Sequence, residues 1–215
     1  MWRSTRSRCC PISPGGSERG AALPAALLLL ACLVGVTGWL VGHVRVDREV
    51  ATALADEQET ARLAEAATQV AALALARVPD WSRVDVLAVP LDCPAWPGAV
   101  VPLDDVGETT ALQAVEDAAS RWPAETPRWR LAWTCHAPGV FSLWPTRPPA
   151  PSVAVWVADD VEGDDEPGRD TNQRLRVHGV AAGRDGARAS ATATIGRTAS
   201  GAPVTLLAWR TGAGS

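Results

Sequence analysis

Arg19-Gly20, followed by Ala21-Ala22-Leu23-Pro24-Ala25-Ala26-Leu27-Leu28-Leu29-Leu30-Ala31-Cys32-Leu33-Val34-Gly35-Val36-Thr37-Gly38-Trp39-Leu40-Val41-Gly42, decides how the rest of the chain is read. The 22 residues from Ala21 to Gly42 carry no charge. At about 1.5 Å per residue a helix of that length crosses a hydrocarbon core of roughly 30 Å. A cleaved secretory signal has a shorter apolar run that ends at a small-residue cleavage site. This run is longer and passes straight into a helical pattern. A retained transmembrane helix is therefore expected over 21–42. Gly38 and Gly42 form a GxxxG spacing that permits close helix packing.

Outward from this stretch, residues 1–20 form a basic leader. Arg3, Arg6, Arg8 and Arg19 stand against Glu18, interspersed with Pro and Gly. The positive bias holds the leader in the cytoplasm and sends the chain beyond the apolar run outward. In the other direction, residues 43–79 read as a continuing amphipathic helix. Positions 50, 54, 57, 61, 64, 68, 71, 75 and 78 step by four and three and hold Val50, Leu54, Glu57, Ala61, Ala64, Thr68, Ala71, Leu75 and Val78. That spacing predicts an apolar stripe along one face, for a membrane-proximal coiled coil or for a spine that packs on its own head and on neighbours. Pro79 ends the helix and biases Val78 towards extended geometry.

Residues 80–215 are expected to form an exported α+β head, long enough to bury a core. Alternation at Val84, Val86 and Ala88 predicts a strand. Pro90, Pro94, Pro97, Gly98 and Pro102 predict a loop over 90–106. A short helix is expected over 107–122, with Leu112, Val115 and Ala119 on its packed side. Strands are expected over 128–135 and 152–158. The final 45 residues give the clearest sheet signal. Leu175, Val177, Gly179 and Ala181 alternate with polar residues, Arg184-Asp185-Gly186 supplies a hairpin turn, and Ala187, Ala189, Ala191, Ala193 and Ile195 alternate again before a strand over 204–210. The small-residue face of this meander suits contact with a helix.

Composition excludes more than it identifies. All 20 basic residues are Arg, net charge is -4 and no basic block lies beyond the leader, so nucleic acid is not an expected partner. Of the five cysteines, only Cys93 and Cys135 lie beyond the apolar run. In an exported head they are the available pair for a disulfide. No zinc spacing, HExxH, nucleophile elbow or phosphate-cradling loop occurs. His136 beside Cys135, and His178 on a strand, make a nucleophile pair only if Cys135 is a free thiol. Catalysis is not expected. Trp81, Trp96, Trp122, Trp129, Trp133, Trp144 and Trp156 are read as core or as a patch for a partner.

The segment from Asp159 to Asn172 is the densest acidic cluster. Ca2+ accepts several oxygen ligands in irregular loops. Asp164, Asp165, Asp170 and Asn172, then Asp160, are the candidate ligands; a solvated acidic loop is the alternative.

The leader ending in glycine, followed by an apolar helix, resembles bacterial type IV pilins and type II secretion pseudopilins. Glu18-Arg19-Gly20-Ala21-Ala22-Leu23 and Ala64-Glu65-Ala66-Ala67 are similar to minor pilins of the PilX class and the minor pseudopilin K. The ending is similar too, with an acidic Asp-Gly segment before Gly-flanked strands of small residues. The resemblance implies a pilin-like α+β fold, cleavage between Gly20 and Ala21 by a prepilin peptidase, and methylation of the new amine. It also implies a single-pass inner-membrane location with the head in the periplasm, and partnership with other pilin-like subunits through the helix. Ala25 stands where most major pilins carry a glutamate that neutralises a neighbour's amine, and Ala21 stands where phenylalanine is usual. The first departure points to a minor subunit acting in assembly or initiation; the second leaves methylation of the Ala21 amine open. The competing expectation is a single-pass membrane protein with an exported binding head that never polymerises.

Overall fold

The structure, a computed structural model, describes residues 22–84, 92–93, 100–119, 128–137, 148–160 and 170–213. The chain forms two units, Met1–Glu49 and Val50–Ser215. In the first, the described residues belong entirely to the opening part of helix α1 (Ala22–Leu75), and their side chains are all exposed.

The second unit is α+β. Among the described residues its remaining α-helix and strands are α2 (Asp105–Ala119), β1 (Arg130–His136), β2 (Ser152–Asp159), β3 (Arg174–Ala182), β4 (Arg188–Gly196) and β5 (Thr205–Ala213). They form one antiparallel meander in the order β1-β2-β3-β4-β5. The β3–β4 connection is the expected turn. Asp185 (φ 52°) and Gly186 (φ 79°) adopt the left-handed region, which glycine enters without a Cβ penalty. The strand expected around Val86 and Ala88 lies outside the described residues.

One sheet face packs against the later part of α1. Val153, Val155, Val157, Leu175, Val177, Ala181, Ala189, Ala191, Ala193 and Ile195 meet Leu63, Ala64, Ala67, Ala71, Ala74 and Leu75 in a single core with Trp81 and Trp133. The period-two alternation of the strands puts these residues on one face. Ala and Gly on the strands let the helix approach closely. A Cβ on Gly179 would stand 2.3 Å from Thr68 Oγ1 and 2.9 Å from the Ala64 carbonyl oxygen; one on Gly183 would stand 2.1 Å from Thr60 Oγ1. Thr68 Oγ1 also donates to the Ala191 carbonyl at 3.2 Å, joining helix to sheet.

The buried stripe on α1 differs from expectation in its first half. Ala64, Thr68, Ala71 and Leu75 are buried as read, and Val78 is half-buried. Val50 and Leu54, however, are more than half exposed, and Glu57 and Ala61 are exposed as well. Asp56, Thr60 and Leu63 hold that face instead. The cause is a polar contact that an apolar count cannot register. Arg184 Nη1 lies 3.1 Å from Asp56 Oδ1 and 3.3 Å from Glu59 Oε2, so a carboxylate enters the interface already paired.

The opposite sheet face carries α2. Asp104 caps this helix, its Oδ1 accepting from the Gly107 N–H at 2.9 Å, and Asp105 and Glu108 lie in the first turn, where the helix dipole favours acids. Leu112 and Leu103 pack on Trp129, Ala154, Trp156, Ala158 and Val180. Val115 (68 % exposed) and Ala119 face solvent, correcting the packed side expected for this helix. Polar side chains complete the contact. Trp156 Nε1 donates to Thr109 Oγ1 at 2.7 Å, and Arg176 pairs with Glu116 at 2.5 Å. With both faces covered, β2 is buried along its whole length.

Two further devices tie the unit together. Cys93 and Cys135 form the expected disulfide, with Cα atoms 5.5 Å apart, linking β1 to the segment before α2. At the end of α1, Arg197 donates to the Val78 and Pro79 carbonyls, both at 2.9 Å, and its guanidinium lies 4.1 Å from the Trp81 ring centroid. Trp81 Nε1 donates to the Leu75 carbonyl at 3.1 Å. The last-turn carbonyl of Leu75 thus accepts a side-chain donor besides the Val78 N–H, and the guanidinium holds the two carbonyls of the segment that leaves the helix.

Candidate functional site

The apolar surface of α1 is the largest feature that the fold leaves unsatisfied. From Leu23 to Val46 the large apolar side chains are 55–73 % exposed. This helix is long and apolar enough to cross a membrane, with a mean hydropathy of 2.2 over its best window. Such a continuous apolar surface is stable in water only when covered by lipid or protein. Its one hydroxyl before the first charges is satisfied within the helix, as hydrocarbon requires: Thr37 Oγ1 reaches the Leu33 and Val34 carbonyls at 2.8 and 3.0 Å. Trp39 and His43 stack edge to face, with centroids 4.6 Å apart, just before Arg45, Asp47, Arg48 and Glu49. An aromatic at that depth marks the passage from apolar to charged surroundings. A Cβ added at Gly35, Gly38 or Gly42 would meet nothing within 4 Å beyond the helix's own adjoining backbone, so the three positions are open notches for another helix. Gly20 and Ala21, the expected cleavage pair, lie outside the described residues; Ala25 sits in the exposed apolar helix.

Three of the five candidate ligands of the acidic segment are described. Asp160, Asp170 and Asn172 come together where β2 ends and β3 begins, and they bond one another and the backbone. Asn172 Nδ2 donates to Asp160 Oδ1 at 2.7 Å. Asp170 Oδ1 accepts the N–H groups of Gln173 and Arg174, at 2.5 and 3.3 Å. Arg174 lies 3.9 Å from Asp160 Oδ2. Asp164 and Asp165 lie outside the described residues. Among the described residues no group of three or more His, Cys, Asp or Glu side chains is placed to hold a metal ion. Asp170 shapes the entry to β3, where Gln173 takes φ 60°.

The two histidines of the head separate. Cys135, beside His136, has its sulfur in the disulfide and is no thiolate nucleophile. His178 is wedged between Trp129 and Trp156, with centroids at 5.8 and 6.2 Å, and its Nδ1 lies 2.7 Å from Thr192 Oγ1. Burial, helped by the Arg176 charge, pushes its pKa down to about 4, so the ring is neutral at pH 7. Trp81, Trp129, Trp133 and Trp156 are buried, as expected of core residues; Trp96, Trp122 and Trp144 lie outside the described residues.

The features that sequence reasoning missed are arginines. Arg184 anchors the β3–β4 turn to α1, Arg197 holds the segment that leaves α1, and Arg174, Arg176 and Arg210 line one groove on the outer sheet face. In sequence Arg184 reads as a turn residue, and the three strand arginines as ordinary solvent-facing residues. Only the cross-strand register brings the last three together.

These elements define a class of protein: a membrane-length apolar helix whose later turns are the spine of an α+β head with a five-stranded antiparallel meander. No family model, no curated protein and no solved structure matches this chain.

Proposed function

We propose that the protein is a minor pilin-like or pseudopilin-like subunit of a type IV pilus or type II secretion filament. The observation that carries this reading is the wholly exposed apolar surface over residues 22–42, on the same helix whose residues 56–75 form the core of the α+β head. A subunit of this kind needs a helix that is soluble in lipid before assembly and packs against other helices afterwards. The open notches at Gly35, Gly38 and Gly42 suit the second state. The basic leader ending at Gly20 supports removal by a prepilin peptidase on the cytoplasmic side, with the head in the periplasm. Ala25, in place of an acidic side chain, leaves a neighbour's amine without a counter-charge along the filament. That supports a role at initiation or at the tip, and a mechanism of assembly without catalysis.

The reading is tested on the protein extracted from membranes of cells that contain a prepilin peptidase. Intact-mass measurement is expected to show a chain that begins at Ala21. A chain that retains Met1 to Gly20 overturns the proposal and leaves a non-polymerising single-pass protein with an exported binding head.

A further inference from the structure

Strand β5 is an open edge of the sheet, pairing with β4 alone among the described residues. Soluble proteins blunt such edges with prolines, lysines, bulges or short strands, because unpaired backbone groups recruit other strands. β5 runs nine residues with no proline and one charge, Arg210; its ladder with β4 is interrupted only near Ile195. Thr205 to Ala208 and Arg210 to Gly212 are exposed, while Trp209 is half-buried against the core.

Two grooves of opposite sign flank this edge. On the outer face, a groove of about 410 Å³ is lined by Leu207 and Arg210 together with Arg174, Arg176, Thr194 and one acid, Asp160. The register sets Arg176, Thr194 and Ala208 in one cross-strand row and His178, Thr192 and Arg210 in the next. Arg176 is held by Glu116 and Arg174 by Asp160, whereas Arg210 has no ionic partner among the described residues. On the inner face, a groove of about 430 Å³ runs between α1 and the end of β5, with Glu57, Ala61 and Glu65 on one wall and Thr211 and Gly212 on the other. Glu57 and Glu65 have no ionic partner among the described residues; Arg188 at the rim is paired with Glu108.

We propose that β5 is the docking edge for an extended segment of another protein whose side chains alternate acidic and basic. Backbone pairing with β5 would place successive side chains on opposite faces. Acidic ones then meet Arg210 in the outer groove, and basic ones meet Glu57 and Glu65 in the inner groove. A second copy of β5 does not fit, because its only charge is an arginine and it brings no acid to Arg210.

The test uses the full chain in detergent micelles and an end-blocked eight-residue peptide of alternating Glu and Lys, followed by fluorescence anisotropy at low salt. Two control peptides have the same composition: one is N-methylated at alternate residues, which removes its pairing edge, and one has four Glu followed by four Lys. The alternating peptide is expected to bind at least about tenfold more tightly than either control. Arg210→Glu, and separately Glu57→Lys with Glu65→Lys, are expected to weaken it about fivefold each, the scale of one exposed charge contact, with unchanged circular dichroism. Equal binding of the N-methylated or block peptide, no saturable binding of the alternating peptide, or sedimentation showing that the chain pairs with itself through β5 overturns the proposal.

Discussion

His178 gives the fold a pH dependence that can be worked out from its surroundings. In the folded protein its pKa lies at about 4, against 6.5 for an unburied histidine, because the ring is enclosed by Trp129 and Trp156 beside Arg176. The folded pKa is the depressed one, so the unfolded chain takes up the proton first. The stabilisation is complete above about pH 6.5 and is lost as pH falls towards 4. Over the whole window the gap corresponds to roughly 3 kcal/mol, and between pH 7 and pH 5 to about 2 kcal/mol. Carboxylates titrate in the lower part of the same range, so the measurement is a comparison. Urea unfolding of the full chain in micelles is followed by tryptophan fluorescence at pH 7 and pH 5, for the natural protein and for His178→Gln, which keeps a polar group near Thr192. The natural protein is expected to lose about 2 kcal/mol more than the variant between the two pH values. Equal losses would mean that the ring is hydrated in the folded state, and would refute the sealed outer layer of α2, Trp129 and Trp156.

Three other outcomes test the helix–sheet contact and its fastenings. Gly183→Ala is expected to cost about 1–3 kcal/mol by overpacking against Thr60, and Thr60→Ala in the same chain to recover most of that loss; Gly179→Ala should not be rescued by Thr68→Ala, since the Ala64 carbonyl also stands in the way. Thermal melts of the four variants decide this. Replacing Cys93 and Cys135 by Ser together is expected to lower stability by about 4 kcal/mol on a chain-entropy basis, read from urea midpoints. Arg197→Met keeps an apolar stem over Trp81 but strips the donor from the Val78 carbonyl and leaves Pro79 with Ser200 alone among the described residues, and should cost about 1–3 kcal/mol, read from urea midpoints.

The sheet was the most legible part of the chain, since period-two alternation is written directly in residues 174–195 and the turn at 184–186 needs residues that tolerate positive φ. The membrane-length run was legible for the same reason: length without charge is a one-dimensional property. The buried face of α1 was legible only from Ala64 onward. Upstream, Asp56 and Thr60 are buried because Arg184 and Gly183, more than a hundred residues later, come to meet them. Val115 was misread for the opposite reason. Apolar spacing marked it, but α2 docks through Leu112, Gln113, Thr109 and Glu116, whose polar atoms find partners on Trp129, Trp156 and Arg176. The acidic residues at the β2–β3 connection were legible as a cluster, while their mutual hydrogen bonds depend on backbone geometry that composition does not encode. The outer groove combines residues from three strands and is invisible until the register is known.

Arg197 has a bearing on how the chain is made. It lies just past β4, yet it holds the Val78 and Pro79 carbonyls at the exit of a helix completed at Leu75. During synthesis more than a hundred residues must emerge before that exit gains its clamp, and the strands that cover the helix's apolar side arrive over the same interval. A chain that stops before β4 therefore lacks part of the surface that buries Leu63 and Leu75 in the folded head. The protein's longest element is thus covered and fastened by residues far along the chain from it.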